Sequence, residues 1–255
     1  LGDFDYILNL ASESHVDRSI TDPVAFIENN VSSTLMLLEY ARAPRPDMFI
    51  QFSTDEVFGA REHAEWDVLL PSNPYSASKA AQEMIAIAYW ATFHVPVVIT
   101  NSNNIVGANQ NREKFVPKLV DLISRGQTVE IHTQGGVAGR RFYNPVQNVA
   151  DALLYILTVV PHSQAAVDLM PSDRPLRFNL PGGDEIDNLD MAERVAAILG
   201  LPLDVHLVDA ETVRPGYDTF YPRTEGLLTE LGWVPPFDLT AELTRIVLEI
   251  NDASR

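Results

Sequence analysis

The chain of 255 residues is 46% hydrophobic and contains no cysteine, which excludes disulfides and thiolate chemistry and fits a reducing compartment. Its formal net charge of −17 makes the surface repel polyanions, so we expect no binding to nucleic acid or to an anionic membrane. The sequence has neither an apolar run of about eighteen residues, the length that spans a bilayer, nor a secretory signal pattern, and we expect a cytoplasmic protein.

The first elements alternate between strand and helix. A short apolar run at 4–11 predicts a buried strand, and the polar residues 12–19 predict a loop. Asp22 as N-cap and Pro23 at the first helical position then predict a helix that ends near Arg42.

The same alternation continues to about residue 107. We predict strands at 48–52 and 95–100, separated by a surface loop at 60–74 and a helix at 75–93, and a polar loop at 101–107 after the second of these strands. Such an order predicts an α/β fold with a doubly wound, Rossmann-like parallel sheet, in which ligands bind at the carboxyl ends of the strands.

The second half mixes short strands with helices and contains Pro-Gly and Pro-Pro turns, which predicts a smaller mixed C-terminal lobe. The predicted strands are 129–132, 176–180 and 204–208. The predicted helices are 115–125, 146–160, 187–199 and 238–251.

Tyr75 and Lys79 are four residues apart at the start of a predicted helix, so they project from one face, one turn apart. A nearby ammonium favours the phenolate and lowers the pKa of a tyrosine, which makes Tyr75 a candidate acid or base. In isolation such a pair is more often a half-buried aromatic ring and a solvated charge than a catalytic pair. Only three of the eighteen Lys and Arg residues are lysine, however, so general usage does not explain a lysine here.

Several motifs together resemble the extended short-chain dehydrogenase/reductases. They are A-S-E-S-H-V-D-R-S-I at 11–20, S-T-D-E-V-F-G at 53–59, P-Y-S-A-S-K-A at 74–80, R-E-K-F-V-P at 112–117 and R-P-G at 214–216. Within that superfamily the sequence is most similar to the nucleotide-diphosphate-sugar 4,6-dehydratases, above all those of the dTDP-glucose type. The Y-x-x-x-K pattern marks the whole superfamily, whereas the Thr-Asp-Glu trio at 54–56 is more specific to the dehydratases.

The resemblance implies a lyase reaction that uses bound NAD. Tyr75 removes the proton of the sugar 4-hydroxyl while hydride passes from C4 to NAD⁺, Lys79 holds the nicotinamide ribose, and Thr54 shares the hydrogen bond. Glu56 then takes the C5 proton, Asp55 protonates the departing 6-hydroxyl, and the hydride returns to C6. One carboxyl group must be charged and the other protonated at the same pH, which adjacent carboxylates in a desolvated site can arrange. Without the resemblance, the two acidic residues would form an ordinary polar turn.

The resemblance also implies binding residues. Those expected to bind NAD are Leu10, Ala11, Ser12, Ser53, Tyr75, Lys79 and Ser102. Those expected to bind the nucleotide sugar are Ser14, Thr54, Asn104, Lys114, Phe115, Arg141, Arg214 and Tyr217. The sequence departs from the family pattern at Glu130, His132, Phe142 and Tyr217, which leaves the nucleobase open. The six histidines show no ligand spacing, so we expect no metal site.

No Gly-rich dinucleotide-binding motif follows a strand in this sequence. In the family this motif precedes the strand near residue 6, so we expect a fragment, or a degenerate chain, that lacks the first three strands. We expect this chain by itself to bind NAD weakly or not at all and to be inactive. The expected domains are an incomplete NAD-binding domain at 1–110 plus about 141–180, and a nucleotide-sugar-binding lobe at about 111–140 and 181–255. We also expect a homodimer formed by a four-helix contact through the helices at 23–42 and 75–93.

Two alternatives stay open. A UDP-sugar epimerase or decarboxylase of the same family shares Tyr75 and Lys79 but usually lacks the acid pair Asp55 and Glu56. A non-catalytic nucleotide-sugar-binding module would agree with the missing Gly-rich motif.

Overall fold

The computed structural model describes residues 2–43, 45–183, 185–210, 218, 220–221 and 226–253. The strands are β1 Tyr6–Asn9, β2 Met48–Thr54, β3 Val97–Ser102, β4 Asn104–Val106, β5 Val129–Gln134, β6 Val137–Ala138, β7 Arg140–Pro145, β8 Leu176–Leu180, β9 Glu185–Asp187 and β10 Val205–Asp209. The helices are α1 Val16–Thr21, α2 Pro23–Ala41, α3 Pro74–Phe93, α4 Phe115–Ser124, α5 Val146–Thr158, α6 Gln164–Asp168, α7 Asn188–Leu199, α8 Leu227–Glu230 and α9 Leu239–Asp252. Two short 3₁₀ helices are Asp55–Phe58 and Val160–His162.

The central sheet is parallel and has the strand order β1-β2-β3-β8. Successive β2 residues point to opposite faces: Phe49 joins a core with residues of α2 and α3, whereas Ile50 joins a core with residues of α5 and β8. Helices therefore cover both faces, which confirms the predicted doubly wound parallel sheet. Because the strands are parallel, the carboxyl ends of β1, β2 and β3 lie at one edge of the sheet.

A further hydrophobic core lies in the part of the chain that we assign to the smaller lobe. It contains buried residues from α4, β5, α7 and α9, such as Val120, Ile131, Val195 and Ile246. β5 lies between β10 and β6 in its sheet and alternates buried and more exposed residues, so one of its faces packs on this core. The division into two domains at the predicted boundaries stays a prediction.

Two predicted loops are wrong in part. Residues 12–19 were expected to be a loop, but α1 begins at Val16, where the His15 side chain caps it by accepting a hydrogen bond from the Arg18 N–H at 3.4 Å. Residues 101–107 contain the end of β3 and all of β4, because β4 pairs with β7. Long-range contacts supply partners that the polar local sequence does not reveal.

β1 hydrogen-bonds to β2 on one side, and no other described strand pairs with it. Tyr6 and Leu8 on this strand are 46% and 37% exposed, so the predicted buried strand is buried on one face only. Across the described ranges, no helix has the length and apolar content that a membrane crossing requires.

Candidate active site

The acid pair lies where β2 ends. The strand stops at Thr54 and the chain turns into the 3₁₀ helix Asp55–Phe58. The Thr54 hydroxyl caps this turn, since it accepts a hydrogen bond from the Glu56 N–H at 3.3 Å and donates to the Asp55 carboxylate at 3.1 Å. Gly59 ends the turn with a φ of 75°, and a Cβ there would lie 2.6 Å from the Leu70 carbonyl oxygen. The turn therefore requires glycine at this position.

Asp55 is 5% exposed and accepts a 2.6 Å hydrogen bond from the Asn103 side-chain amide. Burial, and next the charge of Glu56, raise the pKa of Asp55 to about 7, although the hydrogen bonds from Asn103 and Thr54 oppose the rise. A carboxyl group with this pKa is partly protonated at neutral pH. Asp55 can therefore donate a proton while Glu56 accepts one.

Asn103 is a site residue that the sequence analysis missed. Its side-chain oxygen accepts a 2.8 Å hydrogen bond from the Gly182 N–H, which directs the amide NH₂ toward Asp55. The sequence signal for Asn103 is the polar run at 101–104, directly after a predicted strand, in which Ser102 and Asn104 were the predicted site residues.

α3 carries Tyr75 and Lys79 into the same region. Asn73 and Ser76 form a capping box at the start of the helix, and the Tyr75 N–H donates to the Ser19 hydroxyl at 3.1 Å. The Lys79 ammonium is buried and donates to the Phe52 carbonyl oxygen at 2.7 Å. Burial lowers the pKa of Lys79 to about 8, and the charge of Glu83 opposes this shift.

The expectation that Lys79 lowers the pKa of Tyr75 is wrong. Burial, and next the charge of Glu56, raise the pKa of Tyr75 above its ordinary value; Asp55 adds to the rise and a hydrogen bond with Thr54 opposes it. Lys79 is not among the groups that shift this pKa. Helix spacing places Tyr75 and Lys79 on one face of α3, but in the folded structure the Lys79 ammonium donates to the Phe52 carbonyl oxygen of β2.

Most predicted site residues line one cavity of about 450 Å³ at the carboxyl ends of β1, β2 and β3. Those that line it are Leu10, Ser12, Ser14, Ser53, Thr54, Glu56, Tyr75, Lys79, Ser102, Asn104, Lys114, Phe115 and Arg141. Asp55 lies buried beside Thr54 and outside the lining, and Ala11 is exposed elsewhere. Arg214 and Tyr217 lie outside the described residues. Glu130 and His132, where the sequence departs from the family pattern, also face the cavity.

Arg141 contacts a second tyrosine, Tyr221, which lies beside the acid pair. Its guanidinium donates to the Asp218 carbonyl oxygen at 2.5 Å and lies 4.8 Å from the centre of the Tyr221 ring. The Tyr221 hydroxyl donates to the Asp218 carboxylate at 2.5 Å and lies 3.5 Å from the Glu56 carboxylate. Burial, and next Glu56, raise the pKa of Tyr221, so its hydroxyl keeps its proton beside Glu56. The sequence analysis missed Asp218 and Tyr221.

Known proteins match this chain closely. A family model described as GDP-mannose 4,6 dehydratase matches residues 2–172. The chain is 32% identical over 240 residues to the low-salt glycan biosynthesis protein Agl12 of Haloferax volcanii, covering 92% of this chain and 72% of that protein. It is also 32% identical over 237 residues to a dTDP-glucose 4,6-dehydratase of Streptomyces niveus, covering 91% of this chain and 65% of that protein.

Solved structures of nucleotide-sugar enzymes also match this chain. DesIV of Streptomyces venezuelae, a dTDP-glucose 4,6-dehydratase with NAD and TYD bound, matches with a TM-score of 0.83 at 29% identity, covering 97% of this chain and 73% of that chain. A UDP-glucose 4-epimerase of Thermus thermophilus in complex with NAD shares the fold, with a TM-score of 0.83 at 23% identity over 98% of this chain and 78% of that chain.

The parallel sheet, the tyrosine and lysine on one helix and the adjacent strand-end trio define the class of extended short-chain dehydrogenase/reductases. Within this class, the chain belongs to the GDP-mannose 4,6-dehydratase family of NAD-dependent epimerases and dehydratases. The resemblance predicted from the motifs is confirmed.

Proposed function

We propose that the chain carries the catalytic centre of an NAD-dependent nucleotide-sugar 4,6-dehydratase, of the type that converts dTDP-glucose to dTDP-4-keto-6-deoxyglucose. One observation carries the proposal: Asp55 and Glu56 are adjacent, yet burial raises the pKa of Asp55 to about 7. The site therefore holds a proton donor and a proton acceptor next to Tyr75. An elimination of water needs both, whereas inversion at C4 needs neither.

The residues around the cavity fit the nicotinamide end of NAD. Lys79 presents a buried ammonium, and the buried Ser53 hydroxyl has no hydrogen-bond partner among the described residues, so both side chains can bond a ribose. Leu10, Ser12 and Ser102 line the same cavity at the strand ends. When bound, NAD supplies the hydride acceptor and donor and a positive nicotinamide charge that favours the Tyr75 phenolate.

Tyr75 serves the first step, the oxidation at C4. Its phenolate, assisted by the Thr54 hydroxyl, takes the proton of the sugar 4-hydroxyl. The resulting 4-keto group acidifies the C5–H bond. The nearby carboxylates oppose a phenolate at Tyr75, so Tyr75 holds this proton through the elimination and releases it to solvent before the next turnover.

Glu56 and Asp55 serve the elimination. The Glu56 carboxylate takes the proton from C5, the C6–O bond breaks, and the Asp55 carboxyl group gives its proton to the departing hydroxyl, which leaves as water. A hydride added at C6 and the proton returned from Glu56 to C5 complete the 4-keto-6-deoxy sugar. Glu56 then regains its charge, and solvent reprotonates Asp55.

Product analysis tests the proposal. The complete natural protein is incubated with dTDP-glucose, UDP-glucose or GDP-mannose in the presence of NAD, and the product is identified by NMR. A 4-keto-6-deoxy sugar from any of the three supports the proposal. A 4-epimer would support the epimerase alternative, and binding of the nucleotide sugar without turnover would support the binding module.

We also propose that the protein is a cytoplasmic homodimer and that its two domains divide at the boundaries given above. α2 and α3 pack against each other and leave apolar side chains exposed: Leu35 on α2 is 39% exposed and Met84 on α3 is 48% exposed. A two-fold contact between two such pairs would bury these side chains in a four-helix arrangement. The cysteine-free composition supports a reducing compartment.

A further inference from the structure

A buried ion pair lies behind the catalytic residues and takes no part in the mechanism above. Glu83 on α3 and Arg177 on β8 meet at 2.6 Å, and their side chains are 0% and 1% exposed. The Arg177 guanidinium lies 4.4 Å from the Trp66 ring centre. A buried pair of charges contributes little to stability compared with apolar residues of the same size, because both charges must be desolvated. Its presence here therefore calls for another role.

The Asn101 side chain connects the ion pair to the backbone of Thr54, the residue directly before the acid pair. The Asn101 amide nitrogen donates to the Glu83 carboxylate at 2.8 Å and to the Thr54 carbonyl oxygen at 3.0 Å. Thr54 is the last residue of β2, and its carbonyl precedes the turn that begins at Asp55. Glu83 thus orients an amide that holds the chain at the point where the strand becomes the catalytic turn.

The same carboxylate lies one helical turn beyond Lys79, so Tyr75, Lys79 and Glu83 share one face of α3. The negative charge of Glu83 favours the ammonium form of Lys79, which burial disfavours. Glu83 therefore influences catalytic residues on two elements: Lys79 on α3, through its charge, and Thr54 at the end of β2, through Asn101.

We propose that Glu83 and Arg177 are positioning residues, which hold Asn101 and through it fix Thr54 and Asp55 for proton transfer. This inference rests on the proposed function, since that function assigns Thr54 and Asp55 to the reaction. Arg177 holds the Glu83 carboxylate, Glu83 holds the Asn101 amide, and Asn101 holds the Thr54 carbonyl.

Two matched double variants test the proposal in the complete natural protein. E83M/R177M and E83Q/R177M both remove the buried charges, but only glutamine keeps an oxygen that can accept from Asn101. We expect E83M/R177M to lower kcat by roughly 10- to 100-fold with KM changed less than about threefold, since small misplacements of reacting groups cost this much. E83Q/R177M should keep a kcat at least about fivefold above that of E83M/R177M, because both variants lose the charge that favours the Lys79 ammonium but only E83M/R177M loses the contact with Asn101. Equal kcat values in the two variants would overturn the proposal.

Amide hydrogen exchange supplies a readout that needs no activity. We expect amide exchange at 53–58 to be faster in E83M/R177M and unchanged in E83Q/R177M. The amides of β5, which packs on the core with α4, α7 and α9, serve as the internal reference. If the protein proves not to be a dehydratase, this result still decides whether the pair positions the turn. Should the double variants fail to fold, Asn101→Leu keeps the ion pair and removes the Asn101 contacts with Glu83 and Thr54. Wild-type exchange at 53–58 in that variant would also overturn the proposal.

Discussion

The Asn103 side-chain amide donates a 2.6 Å hydrogen bond to the Asp55 carboxylate, although 48 residues separate them in the chain. This bond favours the charged form of Asp55, whereas burial and the neighbouring Glu56 favour the protonated form. The balance places the pKa of Asp55 at about 7, within the range where a general acid is effective at neutral pH.

Asn103→Leu should therefore raise the pKa of Asp55 further. The catalytic acid would then stay protonated to a higher pH, and the pH at which kcat falls on the alkaline side should move upward. Steady-state rates of 4-keto-6-deoxy product formation between pH 6 and 9 measure this shift. If the pH at which kcat falls on the alkaline side is unchanged or lower, Asn103 does not set the pKa of Asp55.

Asp55 should also make stability depend on pH. Its folded pKa of about 7 lies above the ordinary value of 3.8, so between these values the folded state holds a proton that the unfolded state has released. Stability from this group is present below about pH 4 and is lost as pH rises through 7. The loss amounts to roughly 4 kcal/mol at most, at about 1.4 kcal/mol for each pKa unit.

Asp55→Asn removes this titration, so the variant should gain stability relative to wild type as pH rises from 5 to 8. Urea unfolding at several pH values measures the difference, with Asp204→Asn on the exposed surface as the control. A constant difference between Asp55→Asn and wild type across this range would contradict the raised pKa.

Tyr75→Phe should abolish the oxidation at C4, because the Tyr75 phenolate is the proton acceptor for the 4-hydroxyl. We expect a loss of about 10²-fold or more in the rate of ketone formation. Single-turnover absorbance of the reduced nicotinamide follows this step directly. Tyr89→Phe, on the same helix and away from the cavity, is the control. Turnover within a few-fold of wild type would remove Tyr75 from the mechanism.

Glu56→Gln separates oxidation from elimination. The amide cannot accept the C5 proton, so the variant should still exchange hydride at C4 but should not incorporate solvent deuterium at C5. NMR of the sugar recovered from D₂O measures deuterium at C5, and absorbance of the reduced nicotinamide measures the oxidation at C4. Asp55→Asn should slow loss of the 6-hydroxyl and leave the exchange at C5 in place. Normal 4-keto-6-deoxy product from both variants would remove Glu56 and Asp55 from the mechanism.

Charges placed on the α2 and α3 surface should prevent dimer formation. Leu35→Glu and Met84→Glu each put a carboxylate into the proposed contact, and burying an unpaired charge there is costly. Light scattering at micromolar concentration should show a dimer for wild type and a monomer for the double variant. Leu154→Glu, on an equally apolar and exposed position of α5, should stay dimeric. A wild-type monomer would refute the proposed assembly.

The sequence by itself determined the features that depend on neighbours in the chain. The helix that carries Tyr75 and Lys79, the capping of α2 by Asp22 and the adjacency of Asp55 and Glu56 all follow from local spacing. The alternation of strand and helix sufficed to predict the parallel sheet, and parallel strands bring their carboxyl ends to one edge. Most of the cavity residues can therefore be predicted from local patterns and the parallel sheet.

Only the tertiary structure decided how those residues behave. Asn103 contacts Asp55, Tyr221 contacts Glu56, and Arg177 contacts Glu83, which is 94 positions away in the chain. No local sequence pattern predicts these contacts. The pKa of Tyr75 shows the consequence: local spacing predicted a decrease from Lys79, whereas burial and the acid pair raise it. Desolvation depends on which distant segments pack around a group, so the sign of such a shift follows from the folded structure alone.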